Sequence, residues 1–250
     1  MKRLRHLTIC FALTCMPMLI AIAQTNSGFS AGLGGQYVLP MADFGGTTSD
    51  FFSGTSYGLK YGLGGHSKMR FSAVGLCWTG ELGYSYLWGN GVATSSAGSI
   101  DILGRFFMLR FGPEYQFAVG TIPATWYVGG NAAINNLGFD LRLRNLPLVT
   151  VSSADYITNS ASRFGVGINA GALIRLTESV TLDVGVSYNF VNPFHQAWED
   201  RDVSTDRRDD SYLALNDAPD PTYSPGSLIH FIHSSRKIHS LEINASILFN

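Results

Sequence analysis

The sequence predicts an all-β fold, an eight-stranded antiparallel transmembrane β-barrel, on three observations: the length of its alternating runs, its scarcity of charge, and the rhythm of its connections. The clearest alternation runs from Arg163 to Phe190. Phe164, Val166, Ile168, Ala170, Ala172 and Ile174 occupy every second position, with Gly165, Gly167, Asn169 and Gly171 between them. After a polar turn from Arg175 to Ser179, Val180, Leu182, Val184, Val186, Tyr188 and Phe190 alternate with Thr181, Asp183, Gly185, Ser187 and Asn189. This is the period of a strand, not of a helix. Each run lasts about ten residues, the length a tilted strand needs to cross a bilayer, whereas strands of globular proteins average about five to six. In lipid the apolar face must point outward and the polar face inward, and the sheet must close so that no backbone group goes unpaired in hydrocarbon.

Charged residues make up 14% of the 250 residues and hydrophobic residues 46%, against roughly 25% charged in soluble domains. The net charge of −1 gives no general affinity for nucleic acid. Lys2, Arg3 and Arg5 precede an apolar stretch, Leu7 to Ile20, and Ala21-Ile22-Ala23, the pattern of a signal peptide cut after Ala23. Residues 24–250 are then one barrel domain destined for the outer membrane. Cys10 and Cys15 fall inside the signal and lack the small preceding residue of a lipoprotein site. Cys77 is left alone as a small inward packing residue.

Taken in order, the first strand is Phe29 to Leu39, ended by Pro40. A Gly, Ser, Thr and Asp-rich loop follows, and Tyr57, Leu59, Tyr61 and Leu63 face lipid in the second strand. His66 to Arg70 is read as a polar turn. The third strand places Trp78, Leu82, Tyr84, Tyr86 and Trp88 outward, its aromatics gathered toward one end as an interfacial girdle requires. Phe107, Leu109, Phe111, Tyr115 and Phe117 face outward in the fourth, and Gly120 to Pro123 turns the chain. The fifth starts near Trp126 and continues above the membrane, because Asp140, Arg142 and Arg144 break the lipid-facing pattern. Arg163–Ile174 and Val180–Phe190 are the sixth and seventh, and Ile238–Phe249 the last. Long loops near 40–55, 89–99, 138–162 and 192–236 alternate with short turns, the pattern of extracellular loops and periplasmic turns. Ten strands result instead if Leu146 to Val151 and its neighbours add a hairpin.

The junction Leu39-Pro40-Met41-Ala42-Asp43-Phe44-Gly45, the run Arg110-Phe111-Gly112-Pro113-Glu114-Tyr115, and the C-terminal alternation ending in Phe249 carry a family resemblance. The whole mature chain resembles the small bacterial outer-membrane β-barrels, such as OmpX, OmpW and the OmpA barrel. A departure is that the terminal aromatic is penultimate, with Asn250 after it. The resemblance implies contact with outer-membrane lipid and lipopolysaccharide, and insertion by the barrel-assembly machinery.

The inward positions carry Lys60, Arg110 and Arg175 against Glu81, Glu114, Asp183 and Glu242. Unpaired buried charges cost several kcal/mol, so these are expected to pair as a lumen ionic network. Eight strands enclose only enough room for side chains, which favours a largely plugged lumen over a gated polar path. Trp78, Tyr84, Tyr86, Trp88, Tyr188 and Phe249 are the expected interfacial aromatics. Ser235, His233 and Glu242 invite a lipid-hydrolase triad, but strand parity separates Glu242 from the other two. His195, His230 and His233 lack a dense metal-ligand motif. The charge-dense run Trp198 to Asp210 is a solvated loop and a candidate surface for an extracellular partner within 192–236. Neither cofactor nor metal is expected. The sequence therefore predicts a non-enzymatic barrel with a structural or surface-interaction role. A narrow passive channel is the alternative, with a lipid-modifying enzyme or a secretion subunit behind it.

Overall fold

The computed structural model describes residues 28–47, 50, 56–73, 76–92, 99–119, 123–144, 154–157, 160–194 and 237–250. The predicted signal, His195, the run Trp198 to Asp210, His230, His233 and Ser235 lie outside them. Among the described residues nine strands form one antiparallel sheet: β1 (Phe29–Ala42), β2 (Tyr61–Ala73), β3 (Leu76–Val92), β4 (Ser99–Ala118), β5 (Ala124–Arg144), β6 (Ala154–Ile157), β7 (Ala161–Arg175), β8 (Val180–Phe190) and β9 (Ile238–Phe249). Each long strand pairs with the next, and β1 pairs with β9 from Ala31↔Phe249 to Ala42↔Ile238. Eight strands thus close a ring. The ninth, β6, pairs among the described residues only with the end of β5, from Asp140↔Ile157 to Leu143↔Ala154, and is not a stave of the barrel.

The burial pattern is inside out relative to a soluble protein. Ile168 is 61% exposed and Ile134 53%, while Glu114 is 1% and Glu242 0% exposed. Alternation along each strand sets this polarity, because successive side chains point to opposite faces. Trp78 and Trp88 mark the height of the apolar belt. They lie ten residues apart on the outer face of β3, about 33 Å along a strand. With the usual tilt that becomes about 25 Å, the height of a membrane barrel's apolar band. At one rim Trp78 stacks on Phe111, with centroids 5.4 Å apart. At the other, Trp88 meets Tyr61 at 5.6 Å and Tyr86 at 6.3 Å.

Three local expectations are corrected. Pro40 does not end its strand but pairs with Ser240. The β1–β2 ladder ends at Val38↔Gly62, so Pro40 is paired on one side only, where a missing N–H is tolerated. His66 to Arg70 is no turn but the middle of β2, in register with Gly83 to Thr79. Tyr57 and Leu59 do not face lipid; both are 1% exposed. The chain before β2 folds back, Gly45 bridging Leu59 and Tyr57 N–H donating to Asp43 O at 2.9 Å. Gly58 takes φ +65° there, a conformation that favours glycine.

Candidate functional site: the barrel interior

Alternation aims one residue in two of every stave at the axis, and the described inward residues fall into layers. At the loop end the layer is apolar. Phe44, Tyr57, Leu59, Leu87, Phe106, Leu137 and Phe139 are each 0–1% exposed. Tyr57 stacks on Phe139 at 5.6 Å with ring planes 2° apart, and Phe44 meets Tyr57 and Phe106 edge-on at 6.1 Å each. Gly89 admits this arrangement, since a Cβ there would strike the backbone of Gly58.

Further in, Arg110 is held between two carboxylates, with Nη2 2.5 Å from Glu242 Oε1 and Nη1 3.5 Å from Glu81 Oε1. Glu242 Oε1 also accepts from Asn189 Nδ2 at 3.0 Å and Ser240 Oγ at 3.1 Å. His66 Nε2 lies 2.7 Å from Ser246 Oγ nearby.

Toward the turn end a second cluster is balanced, two cations against two anions. Arg70 donates from Nε to Glu114 Oε2 at 2.8 Å and from Nη1 to Asp183 Oδ2 at 2.9 Å. Lys68 Nζ lies 3.1 Å from Asp183 and 3.5 Å from Glu114. Asn169 Nδ2 donates to Glu114 at 2.9 Å and Tyr127 Oη to Asp183 at 2.8 Å. Both cations also sit over the Tyr127 ring, 5.0 and 4.7 Å from its centroid, where its negative face attracts them.

Tyr127 can lie flat over the next two staves because the wall beside it is glycine: Gly171 is its register partner on β7. Gly171 and Gly185 are register partners on β7 and β8, and a Cβ on either would strike Tyr127 Oη. Gly185→Ala is therefore expected to displace the ring from Asp183 and to destabilise the barrel by about 1–3 kcal/mol. The urea midpoint of the refolded protein measures it, and an unchanged midpoint rejects the packing role assigned to this glycine pair. Beyond Arg70 the barrel opens at the turn end into a polar cavity of about 520 Å³ lined by Cys77, Gln116, Thr125, Arg175 and Thr181 among others.

Among the predicted network residues, Glu81, Arg110, Glu114, Asp183 and Glu242 are buried inside, but not around one centre. Arg110 serves Glu81 and Glu242, whereas Glu114 and Asp183 belong to Arg70 and Lys68. Lys60 lies outside the lumen, exposed, its Nζ 2.9 Å from Asn90 Oδ1. Arg175 is exposed at the mouth. Lys68 and Arg70, the cations that sequence reasoning missed, share the inward parity of Gly62 and Gly64, and extending β2 would have found them. Of the predicted aromatics, Tyr84 and Tyr86 are exposed beside Trp88, Tyr188 donates to or accepts from His239 Nδ1 at 2.8 Å, and Phe249 pairs with Ala31 and Val180 in the last strand.

A closed ring of eight strands, apolar outside and charged inside, is stable only with lipid around it. The fold is that of a small outer-membrane β-barrel. No family model and no curated protein sequence matches the chain. Among solved structures the barrel is similar to Neisserial surface protein A, with 13% identity, 89% of this chain and 97% of that one covered, and a TM-score of 0.44. Ail, the attachment invasion locus protein of Yersinia pestis, solved in complex with the heparin analogue sucrose octasulfate, shares 13% identity over 90% of this chain and 100% of its own, with a TM-score of 0.41. OprG from Pseudomonas aeruginosa shares 10% over 89% and 95%, with a TM-score of 0.39.

Proposed function

We propose that this barrel is a non-enzymatic outer-membrane protein, exported by a signal cleaved after Ala23, whose lumen is closed and whose role is exercised at its loop end. The observation that carries this is the succession of filled layers along the axis. Apolar rings are followed by the Arg110 cluster and then by the Arg70 cluster, each made of buried side chains. Eight staves leave little room beyond such side chains. The candidate triad acid supports the non-enzymatic reading. Glu242 is fully buried and takes three donors, from Arg110, Asn189 and Ser240, which commits it to packing the lumen. A structural or surface-contact role follows, with lipopolysaccharide around the barrel and an envelope or extracellular partner for the 192–236 loop.

The test is conductance of the refolded mature protein in a planar bilayer. Wild type is expected to give no discrete current steps. Reproducible steps from wild type would instead establish the narrow passive channel and make solute selectivity the question.

A further inference from the structure

The geometry points to a binding site for a phosphorylated glycolipid on the outer wall of β2–β5, directly above the aromatic rim. The inference rests on the proposed placement of the loop end in the outer leaflet. Register builds the site. Lys60 Nζ reaches Asn90 on β3, Asn90 is paired with Asp101 on β4, and Asp101 with Arg142 on β5, so four neighbouring staves present one cross-strand row on the outer face. Lys60, Asn90, Asp101 and Arg142 are all exposed. Arg144, paired with Ser99, follows on the loop side. Arg105, held 2.9 Å from Asp140, precedes on the membrane side.

Four cations thus stand against three acidic residues, Asp101, Asp140 and, in register with Arg142 on β6, Asp155, within a few residues of Trp88 and Tyr86. Trp88 is paired with Leu103 and Tyr86 with Arg105. The row therefore starts where the apolar belt ends, about two residues or roughly 7 Å along the strand beyond the tryptophan. That is the height at which lipid phosphates lie, while the exposed Tyr61, Tyr84 and Tyr86 below offer their faces to acyl chains. A small positive excess favours a phosphorylated ligand, since it includes arginines, whose planar forks suit phosphate oxygens. Width decides the kind of lipid. The row crosses three strand spacings, about 14 Å, which suits a headgroup carrying more than one phosphate better than a single phosphodiester.

The experiment uses the full mature barrel refolded in zwitterionic detergent micelles and titrated with purified bis-phosphorylated lipid A. Binding is read from tryptophan fluorescence and from the melting temperature. The expected result is saturable binding, a raised melting temperature, and affinity that falls with added salt. Each basic residue near an anionic membrane surface is worth about fivefold in affinity, so Lys60→Gln/Arg142→Gln/Arg144→Gln should bind on the order of a hundredfold more weakly. Arg175→Gln, at the opposite mouth, should bind as wild type does.

Equal binding by the triple variant overturns the proposal, and so does an equal response to phosphatidylglycerol, which would mean a general anionic surface. A triple variant that fails to refold is replaced by the three single variants, whose affinities must each fall for the site to stand. The two readings fail separately. A barrel silent in bilayers but indifferent to lipid A sinks this site alone, whereas one that conducts yet binds lipid A sinks the closed lumen alone.

Discussion

Arg70→Ala is expected to destabilise the refolded barrel by about 3–5 kcal/mol, the cost of stranding buried charges by removing one partner. The guanidinium is 3% exposed and bonds Glu114 through Nε and Nη2 and Asp183 through Nη1. Without it the two buried carboxylates keep Lys68 as their one shared cation. Unfolding by urea in lipid vesicles measures the loss. Lys60→Ala, which removes a cation from the exposed wall, should shift stability by less than about 0.5 kcal/mol. Adding Glu114→Gln to the Arg70→Ala variant should restore part of the stability, because one carboxylate charge then disappears. If Arg70→Ala lies within experimental error of wild type, the cluster is not the paired network described above.

Phe106→Ala carries the second large effect, about 3–5 kcal/mol of stability from a fully buried aromatic. Its ring is 0% exposed and packs edge-on against Phe44. The change in conductance is the more telling readout. The apolar layer and the Arg110 cluster lie in series, so current is limited by whichever remains closed. The Arg70 cluster is a third closed layer in the same series, so Phe106→Ala, Arg110→Ala and their double variant should each stay silent, and discrete steps should appear only when Arg70→Ala is added to the double variant. Steps from Arg110→Ala alone would mean that neither the ring layer nor the Arg70 cluster blocks ions and that the Arg110 cluster is the whole barrier.

The sequence was most legible where alternation ran unbroken. Parity alone points Glu81, Arg110, Glu114, Asp183 and Glu242 inward, because the intervening Leu82, Leu109, Phe111, Val184 and Ile243 are large and apolar. Lys68 and Arg70 were hidden by their neighbours. Gly65 and Ser67 stand at outward positions of β2, so His66 to Arg70 has too little grease to read as a lipid-facing strand. What makes it a strand is pairing on both sides, to β1 and β3, a long-range fact absent from the local pattern. Lys60 was misplaced for the opposite reason. Its alternation with Tyr57, Leu59 and Tyr61 is intact in the sequence but interrupted in space, since the chain turns at Gly58 and carries Tyr57 and Leu59 inward. The apolar layer at the loop end was illegible as a site. Its aromatics come from the first loop, β4 and β5, and nothing in their spacing says that they meet.

The seam of the ring joins the two ends of the barrel sequence: Ala31 is paired with Phe249, more than two hundred residues later. Until β9 has been made, β1 presents an unpaired edge of N–H and C=O groups, and an unpaired edge is a template for association with other chains. Contacts this distant along a chain also form slowly. The barrel therefore has a window of vulnerability that opens with the first stave and closes only with the last. Shielding that edge during transit is a demand that this topology places on whatever delivers the chain to the membrane.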